Sequence, residues 1–175
     1  MNRYRKIMLT MIVSALMLTG CGENPSEEGL LLLQEGKYED AIAKFQEAID
    51  DEKNMDDAYR GIGIAKWELE DYEGARDAFE NAMDNGAEIT ATLYNFLGTS
   101  EMKLGNYKMA LNYYRLGMEL EDCTGEMLQE MRFNEIAALE KIGDWENARF
   151  KLTEYIADYP DDEKAAKEAE FFETR

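Results

Sequence analysis

Histidine is absent from all 175 residues. With it go the commonest general base and the commonest metal ligand, so no Ser/His/Asp or Cys/His catalytic arrangement can be assembled. Cysteine is nearly absent too. Cys21 and Cys123 are the only two, which is too few for a disulfide framework. Basic residues are scarce: 19 Lys and Arg stand against 38 Asp and Glu, a formal net charge of −19. Nucleic-acid binders need clustered Lys and Arg to displace counterions, so that class is excluded. The same balance argues against a surface that lies on anionic lipid. No glycine-rich phosphate loop is present, because Gly61-Ile62-Gly63 falls inside a helical stretch and lacks the rest of any fingerprint. What remains is 45 % apolar, ordinary for a globular chain and too apolar for a disordered one.

The first twenty residues differ from the rest. Residues 2–6 are short and basic, with Arg3, Arg5 and Lys6, and residues 7–18 are mostly apolar. That run suits the h-region of a secretory signal and is shorter than the roughly 20 residues a membrane-spanning helix needs. Leu18-Thr19-Gly20-Cys21 resembles the lipobox of bacterial lipoproteins. The resemblance implies cleavage after Gly20, diacylglycerol on the Cys21 sulfur and a protein anchored to a cell membrane on its extracytoplasmic side. Two acyl chains would supply the two-signal anchoring that one chain cannot. Acylated Cys21 would leave Cys123 without a partner in the chain. Asn24-Pro25-Ser26-Glu27 reads as a helix start, with Asn24 as N-cap, Pro25 at the first helical position and Glu27 closing a capping box. The tether of residues 21–25 is therefore short; Cys21 to Asn24 spans at most about 14 Å. With three of the 19 basic residues in the leader and no acid there, the remainder holds 16 basic and 38 acidic residues, a net charge of −22.

The remainder repeats itself. Tyr38, Tyr72, Tyr107 and Trp145 stand 34, 35 and 38 residues apart, each three residues before an alanine: Ala41, Ala75, Ala110 and Ala148. Four residues on come Phe45, Phe79, Tyr114 and Leu152, and three further Ala48, Ala82, Gly117 and Tyr155. Nine residues before each aromatic sit Gly29, Gly63, Gly98 and Ile136. Alanine, bulky residue and small residue at these offsets form one stripe of a helix. Gly36, Gly105 and Gly143 fall where a helix C-cap is needed, and Glu70-Asp71 replaces that glycine in the second unit. Ile136 is large where the others are small, which predicts looser packing of the fourth unit. Asp122 to Glu126, containing Cys123, predicts a wider loop before it.

Four segments in register resemble the tetratricopeptide repeat family over residues 22–160. The resemblance implies an all-α fold, a right-handed superhelical α-solenoid of helix–turn–helix units at 22–55, 56–90, 91–128 and 129–160, with Pro160 closing the last. Ala165, Ala169 and Phe172 recur at helical spacing, so residues 161–175 are expected to hold a capping helix begun by Asp161 or Asp162. That makes nine helices.

No catalytic residues and no cofactor are expected. Asp50-Asp51-Glu52 and Asp56-Asp57 lack the glycine and spacing of an EF-hand loop and read as a solvated loop, so no metal site is expected. Cys123 reads as a spare thiol. In tetratricopeptide solenoids the first helices line a concave groove for an extended peptide or a partner helix. By register the groove residues here are Arg60, Ile64 and Trp67, then Asn95, Thr99 and Met102, then Phe133, Ala137 and Lys141. Trp67 fits packing against the next unit equally well, and Asn95 fits either a ligand's backbone or solvent. Some family members clamp a C-terminal carboxylate with Lys, Asn and Arg from three successive first helices; Ser26 and Leu30 occupy the matching places of the first unit, so that clamp does not carry over. The expected function is non-enzymatic binding of a partner protein or peptide, with neither nucleic acid nor a small-molecule substrate indicated. The alternative is a structural subunit of a cell-envelope complex. The acidity fits a basic partner, and equally a domain held off anionic lipid.

Overall fold

The computed structural model describes residues 25–173. The expected leader, the lipid-bearing Cys21 and the Asn24 cap lie outside them. Every regular element among the described residues is an α-helix: α1 (Pro25–Gln34), α2 (Tyr38–Asp50), α3 (Met55–Glu68), α4 (Tyr72–Asp84), α5 (Ala91–Leu104), α6 (Tyr107–Met118), α7 (Gly125–Ile142), α8 (Trp145–Asp158) and α9 (Glu163–Glu173). They form two compact units that divide between Ala87 and Glu88. In the first, α1 to α4 pack in chain order and α1 also meets α3. In the second, α5 to α9 do the same and α5 also meets α7. The fold is thus all-α, built of stacked helical hairpins.

The hairpin turns follow from local chemistry. Gly36, Gly105 and Gly143 adopt φ of +76°, +81° and +87°, the left-handed conformation that stops a helix and that a Cβ disfavours. The second hairpin makes the same turn without a glycine: Glu70 is held at φ +64°. Asp71 then starts α4 by accepting the Gly74 N–H at 3.0 Å, and Asp144 starts α8 by accepting that of Asn147 at 3.3 Å.

Glycine and aromatic ring meet where the helices of a hairpin cross. A Cβ on Gly29 would fall 2.9 Å from the Phe45 ring, one on Gly63 2.5 Å from Phe79 and one on Gly98 2.6 Å from Tyr114. Gly61, one hairpin on, closes the other side of the Phe45 ring. In the fourth hairpin the pair is Ile136 with Leu152, both buried in one cluster with Leu139, Ala148, Tyr155, Ala165 and Phe172. The larger residue on α7 is met by a smaller one on α8. The core is closed there.

The loop before α7 does more than connect. Asp122 accepts the Ala91 N–H through both oxygens, at 3.0 and 3.2 Å, and so caps α5 from 31 residues away. Cys123 is buried with its Sγ 3.6 Å from Met131 Sδ. At the far end Asp162 starts α9, accepting from the Lys164 and Ala165 N–H groups, and also receives the Tyr155 hydroxyl at 2.7 Å.

Candidate functional site

Each unit presents a first-helix face carrying residues singled out by the repeat register. In the first unit that face belongs to α3. Arg60 is three-quarters buried and pairs with Asp57 one turn earlier; its Nε is buried without a hydrogen-bond partner. Ile64 is 3 % exposed. Trp67 is half-buried and meets the edge of Tyr72, with ring centroids 6.4 Å apart. Beside it Glu68 accepts the Tyr38 hydroxyl at 3.2 Å.

In the second unit the faces belong to α5 and α7. On α7, Met131, Glu135, Ile136, Ala138 and Leu139 are buried. They share one side of the helix; Glu130, Phe133, Asn134, Ala137, Glu140 and Lys141 share the other, by the 3.6-residue period. Phe133 leans partly into the core, with its ring 5.5 Å from that of Tyr155. Ala137 is half-buried and Lys141 is exposed. On α5, Asn95 is fully buried. Its Nδ2 donates to Glu130 at a long 3.5 Å, and its Oδ1 is buried with no partner. Thr99 accepts the Tyr114 hydroxyl at 3.4 Å. Met102 packs against the cluster of Ala91, Ala110, Tyr114, Cys123 and Met131.

Two carboxylates on the α7 face were not among the residues singled out from the sequence. Glu130 is held above the usual carboxyl range, chiefly by burial; the Asn95 amide and the charge of Lys164 pull the other way. Glu140 is pushed up to about 7, by burial first and then by Glu168 of α9, with Lys141 opposing. Register alone could have found both, since Glu130 precedes Phe133 by three residues and Glu140 follows Ala137 by three. Their desolvation could not be read, because it depends on how α5 and α9 lie against α7. The third acid of the helix behaves differently. Glu135, 4 % exposed, is bonded to Arg115 Nε at 2.7 Å.

The described residues hold no group of three or more His, Cys, Asp or Glu able to bind a metal ion. Burial raises the Cys123 thiol pKa above its ordinary value, which disfavours the thiolate a nucleophile needs. No helix among the described residues is long and apolar enough to cross a membrane.

Family models described as tetratricopeptide repeat match residues 26–88, 91–122 and 128–162. No curated protein matches the chain. Among solved structures it is similar to YrrB, described as a TPR protein with an unusual peptide-binding site. The TM-score is 0.73 at 25 % identity, over 92 % of this chain and 79 % of that one. It is also similar to MamA AMB-1 in two crystal forms, at 17 % identity. One has a TM-score of 0.70 over 85 % of this chain and 78 % of that one. The other has 0.68 over 85 % and 84 %. The MamA likeness concerns the fold alone.

Proposed function

Since the chain belongs to the tetratricopeptide repeat family, we propose that it is a non-enzymatic binding module, tethered to a membrane through Cys21, that holds a partner peptide or helix on the first-helix faces of its hairpins. The observation that carries the binding reading is α7: one side of it is buried in the core, and the other keeps a mixed face of carboxylate, amide, aromatic and lysine. Recognition surfaces have this composition. The similar YrrB structure is described as having a peptide-binding site, which supports the same reading. The anchoring reading rests on the basic, apolar and Leu18-Thr19-Gly20-Cys21 sequence of the leader.

Both halves are testable. Pull-downs from detergent extracts of the native cell should recover a partner with the wild-type chain and lose it with Trp67→Ala or with Asn95→Ala, each checked for helix content. Retention by both variants defeats the face-binding reading. Co-purification at fixed stoichiometry that survives both changes would instead favour a structural subunit of an envelope complex. Cys21→Ser should move a folded, binding-competent chain from the membrane to the soluble fraction. A chain that stays with the membrane defeats the lipid anchor.

A further inference from the structure

We propose that the closing helix α9 is latched to α7 by a proton shared between the carboxyls of Glu140 and Glu168, so that α9 loosens as the pH rises through neutrality. The latch concerns α9 alone and does not depend on the binding reading above.

Two acids on different helices meet at this point. Glu140 keeps Oε1 buried with no N–H or hydroxyl bonded to it. What lies against its carboxyl, within hydrogen-bond reach, is the carboxyl of Glu168. Two ionised carboxylates offer each other only acceptors, so the bond exists only while one of them keeps its proton. That proton is firmly held. Glu140 is pushed up to about 7, by burial first, then by the charge of Glu168 and the bond shared with it, against the charge of Lys141 on its own helix. Charged groups on the other neighbouring helices are engaged elsewhere. On α5 Glu101 accepts from Asn106, on α6 Arg115 holds Glu135, on α8 Arg149 donates to the Phe172 carbonyl oxygen, and on α9 Lys164 acts on Glu130.

The helix so fastened has little else to hold it. α9 packs chiefly on α8, and its buried residues are Ala165 and Phe172. Its first turn is tied by Asp162 to the Tyr155 hydroxyl, and its last by Phe172 to Trp145 and Arg149. Elements with so few buried contacts open locally before the rest of a chain does. Between the two ends Glu168 links α9 to α7. At acid pH that link is a hydrogen bond. At alkaline pH the proton has passed to water, and two carboxylates face each other in a partly desolvated contact. Docked α9 binds the proton more tightly than released α9. Docking is therefore strongest in acid, weakens as pH climbs from the ordinary carboxyl range through about 7, and levels off above it. Asp162 works in the opposite direction. Despite burial its carboxyl stays below the usual range, because the Tyr155 hydroxyl and the Ala165 and Lys164 N–H groups bond to it, so its protonation would loosen α9 only in strong acid.

The test is amide hydrogen exchange of the full-length chain in detergent, read by mass spectrometry at about pH 5 and about pH 8 and corrected for the intrinsic rate at each. Protection of residues 163–173 should fall about five-fold across that interval, a size set by the partial exposure of the pair, while protection of α2 holds. Glu140→Gln places a permanent N–H donor opposite Glu168 and should keep α9 protected at both pH values. Glu140→Ala removes the donor and should flatten the profile at a lower level. Glu170→Gln, an equal charge change at an exposed place on α9, should keep the wild-type fall. Equal protection of α9 at the two pH values in the wild type, or a fall that Glu140→Gln retains or Glu170→Gln abolishes, overturns the proposal. So does α9 as well protected in Glu140→Ala as in Glu140→Gln, which would reduce the effect to charge repulsion, or a loss shared equally by α2. Each of these outcomes leaves the face-binding reading standing, since that is decided by recovery of a partner.

Discussion

Three hairpins of this chain cross on glycine against an aromatic ring, and one crosses on isoleucine against leucine. Gly29 with Phe45, Gly63 with Phe79 and Gly98 with Tyr114 are the first kind; Ile136 with Leu152 is the second. All eight residues are buried. What is preserved is a filled, buried crossing, not the identity of either partner. Close-packed interiors tolerate volume-conserving exchange better than a change in one residue alone. The glycine version lets a ring lie on bare backbone. The isoleucine version spreads its bulk over both helices.

The largest effect expected is from emptying a glycine-type crossing. Phe79→Ala should cost about 3–5 kcal/mol in urea unfolding, because no Cβ opposite can move into the cavity. A cost below about 1 kcal/mol would mean that the crossing is not the close contact described here. Overfilling comes next. Gly98→Ile should destabilise by about 1–3 kcal/mol, and adding Tyr114→Leu should recover part of that, apart from the lost hydroxyl bond to Thr99. A double-mutant cycle with no coupling would break the packing argument, since contacting residues should couple.

The turns supply a smaller contrast. Glu70 holds at φ +64° the conformation that glycines hold in the other hairpins. Glu70→Gly should therefore stabilise the chain by about 1 kcal/mol, read as a higher urea midpoint. Gly143→Ala should move the midpoint the other way.

The smallest effect separates Glu135 from Glu140 on the same helix. Glu140 is raised to about 7 in the folded chain. A carboxyl raised on folding binds its proton more tightly folded than unfolded, so it subtracts stability as pH climbs from the unfolded value through about 7, above which the loss levels off. The melting temperature should fall between about pH 5 and pH 8, and Glu140→Gln should reduce that fall. The partial exposure of the group keeps the effect small. A variant that melts with the wild-type pH profile would show that Glu140 is not desolvated.

The hairpins could be read in advance because they are local. The turn glycines and the alanine and aromatic offsets all depend on residues within one turn or one hairpin. A cap by Asp161 or Asp162 was legible for the same reason, and the structure chooses Asp162. Ile136 was legible as an irregularity but not as a solution: its sequence position predicted looseness, and only the packing shows Leu152 making room. The α7 face was half legible. Phe133, Ala137 and Lys141 came from register, while Glu130 and Glu140 went unremarked among 38 acids, because charge count says nothing of burial.

The sequence by itself determined the helical period, the four hairpins, their turns and the closing helix, and it carries the leader pattern that points to Cys21. Tertiary structure alone decided which acids are neutralised and which are not. Glu135 meets Arg115 across 20 residues, Asp122 reaches Ala91 across 31, and Asn95 reaches Glu130 across 35. The reason is physical. Hydrogen bonding within a helix depends on neighbours in the chain. Desolvation of a carboxylate depends on which side chains of other helices lie over it, and that is set only when the hairpins stack.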